Sequence, residues 1–275
     1  MNASIQLIAD GFGFPEGPCF DAAGDFHFVD GRSGWIEKVN RDGAVEHFVN
    51  TGGGPNGAAF DADNTLFICE ARDRKILKNS PGGLTAFAES YEGEQFRGPN
   101  DLIFHPDGAL YFTDPGGSSE ENPIGRIFRV ETDGTVRLLA EGYAFPNGLA
   151  FSADASLLYV AETSAHKVIV FEVGQDGGLK GPEDFAPTPG GAGGDGMCLD
   201  VEGNLYVAHF GTGQVAVFAP DGQELDRLPA GGEKPTNVAF GGPDMGELWI
   251  TEVETASVYR VRPGIEGLRP FRDPR

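Results

Sequence analysis

Basic residues are scarce in this chain: 20 Lys and Arg stand against 42 Asp and Glu, for a net charge of −22. Such a field repels phosphate backbones and anionic lipid, which argues against nucleic acid and membrane surfaces as partners. Cysteine is scarce as well. Cys19, Cys69 and Cys198 make an odd count, which speaks against a closed disulfide framework. Each lies in a strand-like run and reads as a small buried hydrophobe, and no pair has metal-site spacing. No apolar run approaches about 18 residues, so no membrane span is expected. The stretch "MNASIQLIADGFGF" has neither a basic segment nor a continuous apolar one, so a signal peptide is not expected either. These absences together point to a reducing, cytoplasmic setting. Also missing is any apolar period of about 3.6 residues lasting beyond a turn or two, which excludes a helical solenoid.

Glycine and proline, by contrast, are plentiful at 42 and 19 residues, and they call for many tight turns. They alternate with apolar runs, and the pattern repeats. "FPEGPCFDAAGDFHFVDGRSGWIEKVNRDG" returns as "GPNGAAFDADNTLFICEARDRKILKNSPGG", and again in units containing "GPNDLIFHPDGALYFTDP" and "FPNGLAFSADASLLYVAE". The last two copies are "GGDGMCLDVEGNLYVAHFGTGQVAVFAPDG" and "KPTNVAFGGPDMGELWITEVETASVYRVRPG". One oxygen-bearing side chain marks each copy: Glu16, Asn56, Asn100, Asn147, Asp195 and Asn237, spaced by 40, 44, 47, 48 and 42 residues. Each unit reads as four short strands joined by hairpins. Four strands in a repeat of about 40–45 residues is the pattern of a propeller blade.

The sequence therefore predicts an all-β, six-bladed β-propeller of four antiparallel strands per blade. It would form a single domain over residues 1–275, with blades beginning near residues 14, 54, 98, 145, 193 and 234. "IQLIADGFGFPEG" aligns without gaps with "VEHFVNTGGGPNG" and "VRLLAEGYAFPNG", which are fourth strands leading into a next blade. The N-terminal strand should thus complete the sixth blade and close the ring, in preference to the competing segment "EGLRPF" near residue 268.

The first strand of each blade lines the central channel, so the six marked side chains should ring one mouth of it. Turn chemistry accounts for any one of them; six of six, with Glu in one place, favours a shared role. A second column ends the second strands: Asp30, Glu70, Asp114, Glu162, His209 and Glu252. It reads equally as an outer polar ring of the site or as scaffold. The inner set offers hard oxygen donors and no His or Cys, which suits Ca²⁺, Mg²⁺ or Mn²⁺ better than a structural zinc. In the third blade seven extra residues, within "PGGSSEENPIG", leave from the same mouth and read as a lid or as plain loop decoration.

These residues resemble the SMP-30/gluconolactonase (regucalcin-like) family, which includes relatives of the diisopropyl-fluorophosphatase type. The resemblance rests on "PEGP" at Glu16, "GPNDLIFHPDGALYFTDP" around Asn100, "FPNGLAFS" at Asn147 and "GDGMCLDVEGNLYVA" at Asp195. It implies one divalent cation, calcium first with zinc, manganese or magnesium as alternatives, held by Glu16, Asn147 and Asp195. It implies further that Asp195 orients or deprotonates an attacking water. Asn100 would be another ligand or a substrate contact, and Asp101 would shape the substrate site. Many members carry Arg two residues before that Asn; here Gly98 stands there, and Arg97 is the substitute candidate for a substrate contact.

The resulting expectation is a metal-dependent hydrolase of sugar lactones, a monomer or dimer acting on a small-molecule substrate. Three alternatives stand beside it. One is a phosphotriesterase-like hydrolase on the same ion, and another a non-catalytic ligand- or protein-binding propeller. The third is a strictosidine-synthase-like condensing enzyme.

Overall fold

The computed structural model describes residues 4–40 and 43–271. The first three residues, and Arg41 and Asp42 of the first repeat's "DG" turn, fall outside that range. Six four-stranded antiparallel sheets follow one another along the chain. Their innermost strands are Pro15–Phe20, Pro55–Phe60, Leu102–Phe104, Pro146–Phe151, Gly193–Leu199 and Pro235–Gly241. Within each sheet the strands meander outward in sequence order, as in blade two: Pro55–Phe60, Leu66–Glu70, Lys75–Ser80 and Gly83–Ala88. The fold is a six-bladed β-propeller.

The turns between first and second strands explain many of the acidic residues. Asp21 accepts the backbone N–H groups of Ala23 and Asp25, Asp61 those of Asp63 and Thr65, and Asp200 those of Glu202 and Asn204. Each is an Asx turn that fixes the hairpin from within.

Ring closure follows the sequence expectation. Gln6–Asp10 pairs antiparallel with Ser257–Val261 and forms the outer strand of the sixth blade. The segment "EGLRPF" does something else. Its backbone bonds to Met245, Leu199 and Val201, and it crosses the end of the channel opposite the marked residues. There Leu268–Phe271 face Phe20, Phe60, Phe104, Phe151 and Phe240 across an apolar cavity of about 160 Å³. The channel is therefore apolar and covered at one end, with its polar groups gathered at the other.

The core is divided among the seams between blades rather than pooled at the centre. Blades five and six share Tyr206, Val215, Val238 and Leu248; blades two and three share Phe67, Phe96, Phe104 and Phe112. Where the ring closes, Trp249 of blade six stacks on Phe26 of blade one at 4.3 Å, with Phe20 edge-on at 5.7 Å. Because this seam joins the two ends of the chain, Trp249→Ala should cost about 3–5 kcal/mol of stability. Urea unfolding would read this as a lowered midpoint, and an unchanged midpoint would contradict the seam's role. Among the described residues no helix is long and apolar enough to cross a membrane.

Candidate functional site

The same irregularity recurs at the head of the innermost strands. The pairing register with the second strand slips between Glu16 and Cys19, Pro55 and Ala58, Pro146 and Leu149, Gly194 and Met197, and Pro235 and Asn237. A bulge there bends the strand and re-aims its side chains. It also frees a backbone N–H, which the local side chain accepts. Gly17 N–H donates to Glu16 at 2.6 Å, Leu102 N–H to Asp101 at 2.9 Å and Val238 N–H to Asn237 at 2.8 Å. Gly196 N–H serves Asp195 in the same way.

The heads of the innermost strands, bulged in five blades and regular in the third, bring Glu16, Asp101, Asn147, Asp195 and Asn237 together, all buried. Asn237 Nδ2 donates to Glu16 Oε2 at 3.1 Å and to Asp101 Oδ2 at 3.2 Å, and the Asn147 amide donates to Asp195. Asn100 and Asn56 are half-buried beside them, with Asn56 Nδ2 donating to the Asn100 carbonyl at 3.1 Å. Threonines tie neighbouring blades at this level: Thr113 Oγ1 donates to the Asn147 carbonyl at 2.7 Å, and Thr236 Oγ1 to the Pro15 carbonyl at 2.8 Å.

Three carboxyl groups thus crowd one buried place. Burial and then the Asp101 charge push Glu16 up to about 8. Burial raises Asp101 to about 6. Asp195 is held well above the usual carboxylate range by burial, then by the charges of Glu16 and Asp101. None of the three has a Lys, Arg or His partner among the described residues. Asp195 Oδ1 and Asn100 Oδ1 are buried acceptors with no hydrogen-bond donor. Buried anions without compensation are costly, and oxygen-only donors of this kind are what a hard divalent cation neutralises. Among the described residues no three His, Cys, Asp or Glu side chains form a ready-made metal cluster. An ion here would therefore draw on the Asn amide oxygens and water besides Glu16 and Asp195. On donor chemistry, the residues fit.

The register also revises the sixth member of the column. Pro235 pairs with Glu252 as Pro15 pairs with Asp30, so Thr236, not Asn237, stands level with Glu16 and Asn147. Asn237 and Asp101 occupy the next position inward, where the other blades carry Gly17, Gly57, Gly148 and Gly196. A sequence signal for this existed. Phe20, Phe60, Phe104 and Phe151 lie four residues after their marked residue, whereas Phe240 lies three after Asn237.

The second column is scaffold. Asp30 accepts the N–H groups of Gly13, Phe14 and Arg32, and Asp114 those of Arg97 and Gly98. Glu70 takes Gly54 N–H, Glu162 takes Ala144 N–H, and Glu252 takes Lys234 N–H. Each carboxylate satisfies the backbone of the crossover entering its own blade. His209, the one non-acid, meets instead the Gly190 carbonyl at 3.0 Å.

Arg97 is engaged elsewhere than the inner cluster: its guanidinium donates to the carbonyl of Ile124 in the third-blade insertion. The base of that insertion is pinned by buried Ser118. Its hydroxyl donates to the Tyr143 carbonyl at 2.5 Å and accepts the N–H groups of Gly125 and Phe145 at 3.1 Å. The tip faces solvent, with Glu120, Glu121, Asn122 and Pro123 exposed, as is Gly117 before Ser118.

Comparison with known proteins agrees with the propeller fold. A gluconolactonase of Zymomonas mobilis is 29% identical over 280 aligned positions, covering 88% of this chain and 77% of its own. The diisopropyl-fluorophosphatase of Loligo vulgaris is 30% identical, covering 89% and 87%. A solved gluconolactonase from Xanthomonas campestris superposes with a TM-score of 0.85 at 30% identity, covering 94% and 89%. The family described as "SMP-30/Gluconolactonase/LRE-like region" matches residues 14–254, and the chain belongs to it.

Proposed function

We propose that this chain hydrolyses sugar lactones, using one divalent cation held by Glu16, Asn147 and Asp195. The observation that carries the reading is the buried cluster of three carboxyl groups with no basic partner, in which Asp195 Oδ1 and Asn100 Oδ1 have no donor. Calcium is the favoured ion because the donors are all oxygen; zinc, manganese and magnesium are the alternatives. When bound, the cation would polarise the lactone carbonyl and acidify a water molecule.

The chain's own residues supply the rest. Asp195 would orient the attacking water and take its proton as oxygen adds to the acyl carbon. The ring C–O bond then breaks, and the departing ring oxygen recovers a proton, giving the open hydroxy acid. Asn100 and Asp101, on the blade beside Glu16's neighbour, orient the substrate ring. Arg97 contributes through the insertion it tethers, which walls one side of the mouth. The covered, apolar far end of the channel leaves the polar mouth as the entrance for a small hydrophilic substrate. Cys19, Cys69 and Cys198 form no disulfide among the described residues, which fits a reducing, cytoplasmic setting.

The relationship to the Loligo enzyme favours one second reading, hydrolysis at a phosphoryl centre by the same residues. A pH-indicator assay over aldonolactones and a phosphotriester separates the two. Lactone turnover should exceed phosphotriester turnover by about 10⁴-fold, the scale on which a site built to hydrogen-bond one substrate rejects another that lacks the matching groups. A reversed ratio would sink the lactonase reading, and no turnover of either would favour a binding propeller.

A further inference from the structure

Asn237 stands where four of the six blades have glycine, and its single amide meets two carboxylates. Its Oδ1 accepts Val238 N–H at 2.8 Å, which fixes the amide's orientation and aims Nδ2 at Glu16 Oε2 and Asp101 Oδ2, at 3.1 and 3.2 Å. Asp101 belongs to blade three and Asn237 to blade six, which lie opposite each other in a six-membered ring. The pair therefore forms a polar bar across the channel axis. Space has been cleared for it. A Cβ on Gly196 would fall 1.9 Å from the Asn237 side chain, and one on Gly57 would fall 2.6 Å from Asp101 Oδ1. Just inward of the bar the lining turns apolar, with Ala58, Met197, Val238 and the phenylalanine ring.

We infer that Asn237 is a positioning residue, resting on the reading of this cluster as a cation site. Its amide occupies Glu16 Oε2 and separates the Glu16 and Asp101 carboxylates, so that Glu16 presents Oε1 toward Asn147 and Asp195. The bar is also the floor that keeps ion and substrate at the polar mouth and out of the apolar channel. Without it, the Glu16 and Asp101 carboxylates would face each other with no donor between them, and Glu16 Oε2 would keep only the Gly17 N–H.

Calcium titration calorimetry on metal-stripped protein tests this without relying on turnover. Asn237→Ala should weaken calcium binding about 10–100-fold, the usual effect of removing a partner that orients a metal ligand. In an Asp101→Ala background the same change should cost much less, because the repulsion that the amide relieves is gone. If Asn237→Ala fails to fold, Asn237→Ser, which keeps one hydroxyl donor, should show a smaller loss than the same range. Wild-type binding with unaltered affinity in the Asn237 variant, or strictly additive effects in the cycle, would overturn the inference. A wild type that binds no divalent ion would instead overturn the cation site, and this inference with it.

Discussion

Asp195→Asn should lower kcat/KM on an aldonolactone by about 10³-fold or more, the scale of losing a positioned base. That corresponds to roughly 4 kcal/mol of transition-state stabilisation. The change keeps the side chain's shape and one ligand oxygen but removes its ability to take a proton. Calcium binding should therefore weaken yet persist while turnover disappears. Asp195 is the right place to look because it is buried, holds a free Oδ1 and receives the Asn147 amide, so its orientation is fixed before substrate arrives. Retention of more than about a tenth of wild-type kcat/KM would remove Asp195 from the role of base, since a general base contributes about 10²–10⁴.

The second large effect is on stability, and its sign is set by the raised carboxyl groups. Glu16 is held up to about 8 against an ordinary value of 4.5. Between those values the folded, metal-free protein keeps a proton that the unfolded chain has released. The stabilisation is therefore fully present below about pH 4.5 and is lost as pH rises through about 8. Metal-free protein should lose on the order of several kcal/mol of stability from pH 5 to 8, and so melt at progressively lower temperature. A divalent cation binds the deprotonated ligands, so its effect should run the opposite way and grow with pH. Calcium at about 100 times its Kd should add about 2.7 kcal/mol, or roughly 5–10 °C in Tm, near pH 8. Scanning calorimetry with and without chelator checks this. A metal-free Tm that is flat or rises across this range, or no response to calcium, would contradict the account.

Much of this molecule is legible in its sequence because a propeller repeats its solution six times. Glu16, Asn147 and Asp195 could be aligned before any coordinates, since the Pro-x-Gly or Gly-x-Gly heads and the apolar strands after them keep a common frame. Ring closure by Gln6–Asp10 was legible for the same reason: the stretch copies the fourth strands of other blades. What failed was the side chain's direction. Thr236 and Asn237 are both polar, and the pairing of Pro235 with Glu252 shows which one faces the ring and which forms the bar, a shift that the shorter spacing from Asn237 to Phe240 had signalled.

The second column stayed open between site and scaffold for a different reason. Its acids sit at the mouth, but their oxygens turn back to backbone N–H groups, a choice that depends on loops of no fixed sequence. Arg97 was placed near the site by its neighbours in sequence, yet its guanidinium reaches the Ile124 carbonyl, which an insertion peculiar to one blade supplies. The end cover at Leu268–Phe271 has no repeat to be read against, because it occurs once.

The most direct test of the central claim is to strip the protein with chelator and titrate calcium back while following aldonolactone hydrolysis. The account predicts that stripped protein is inactive and that turnover returns in proportion to added ion, saturating at one calcium per chain. Full turnover in the stripped protein would contradict it.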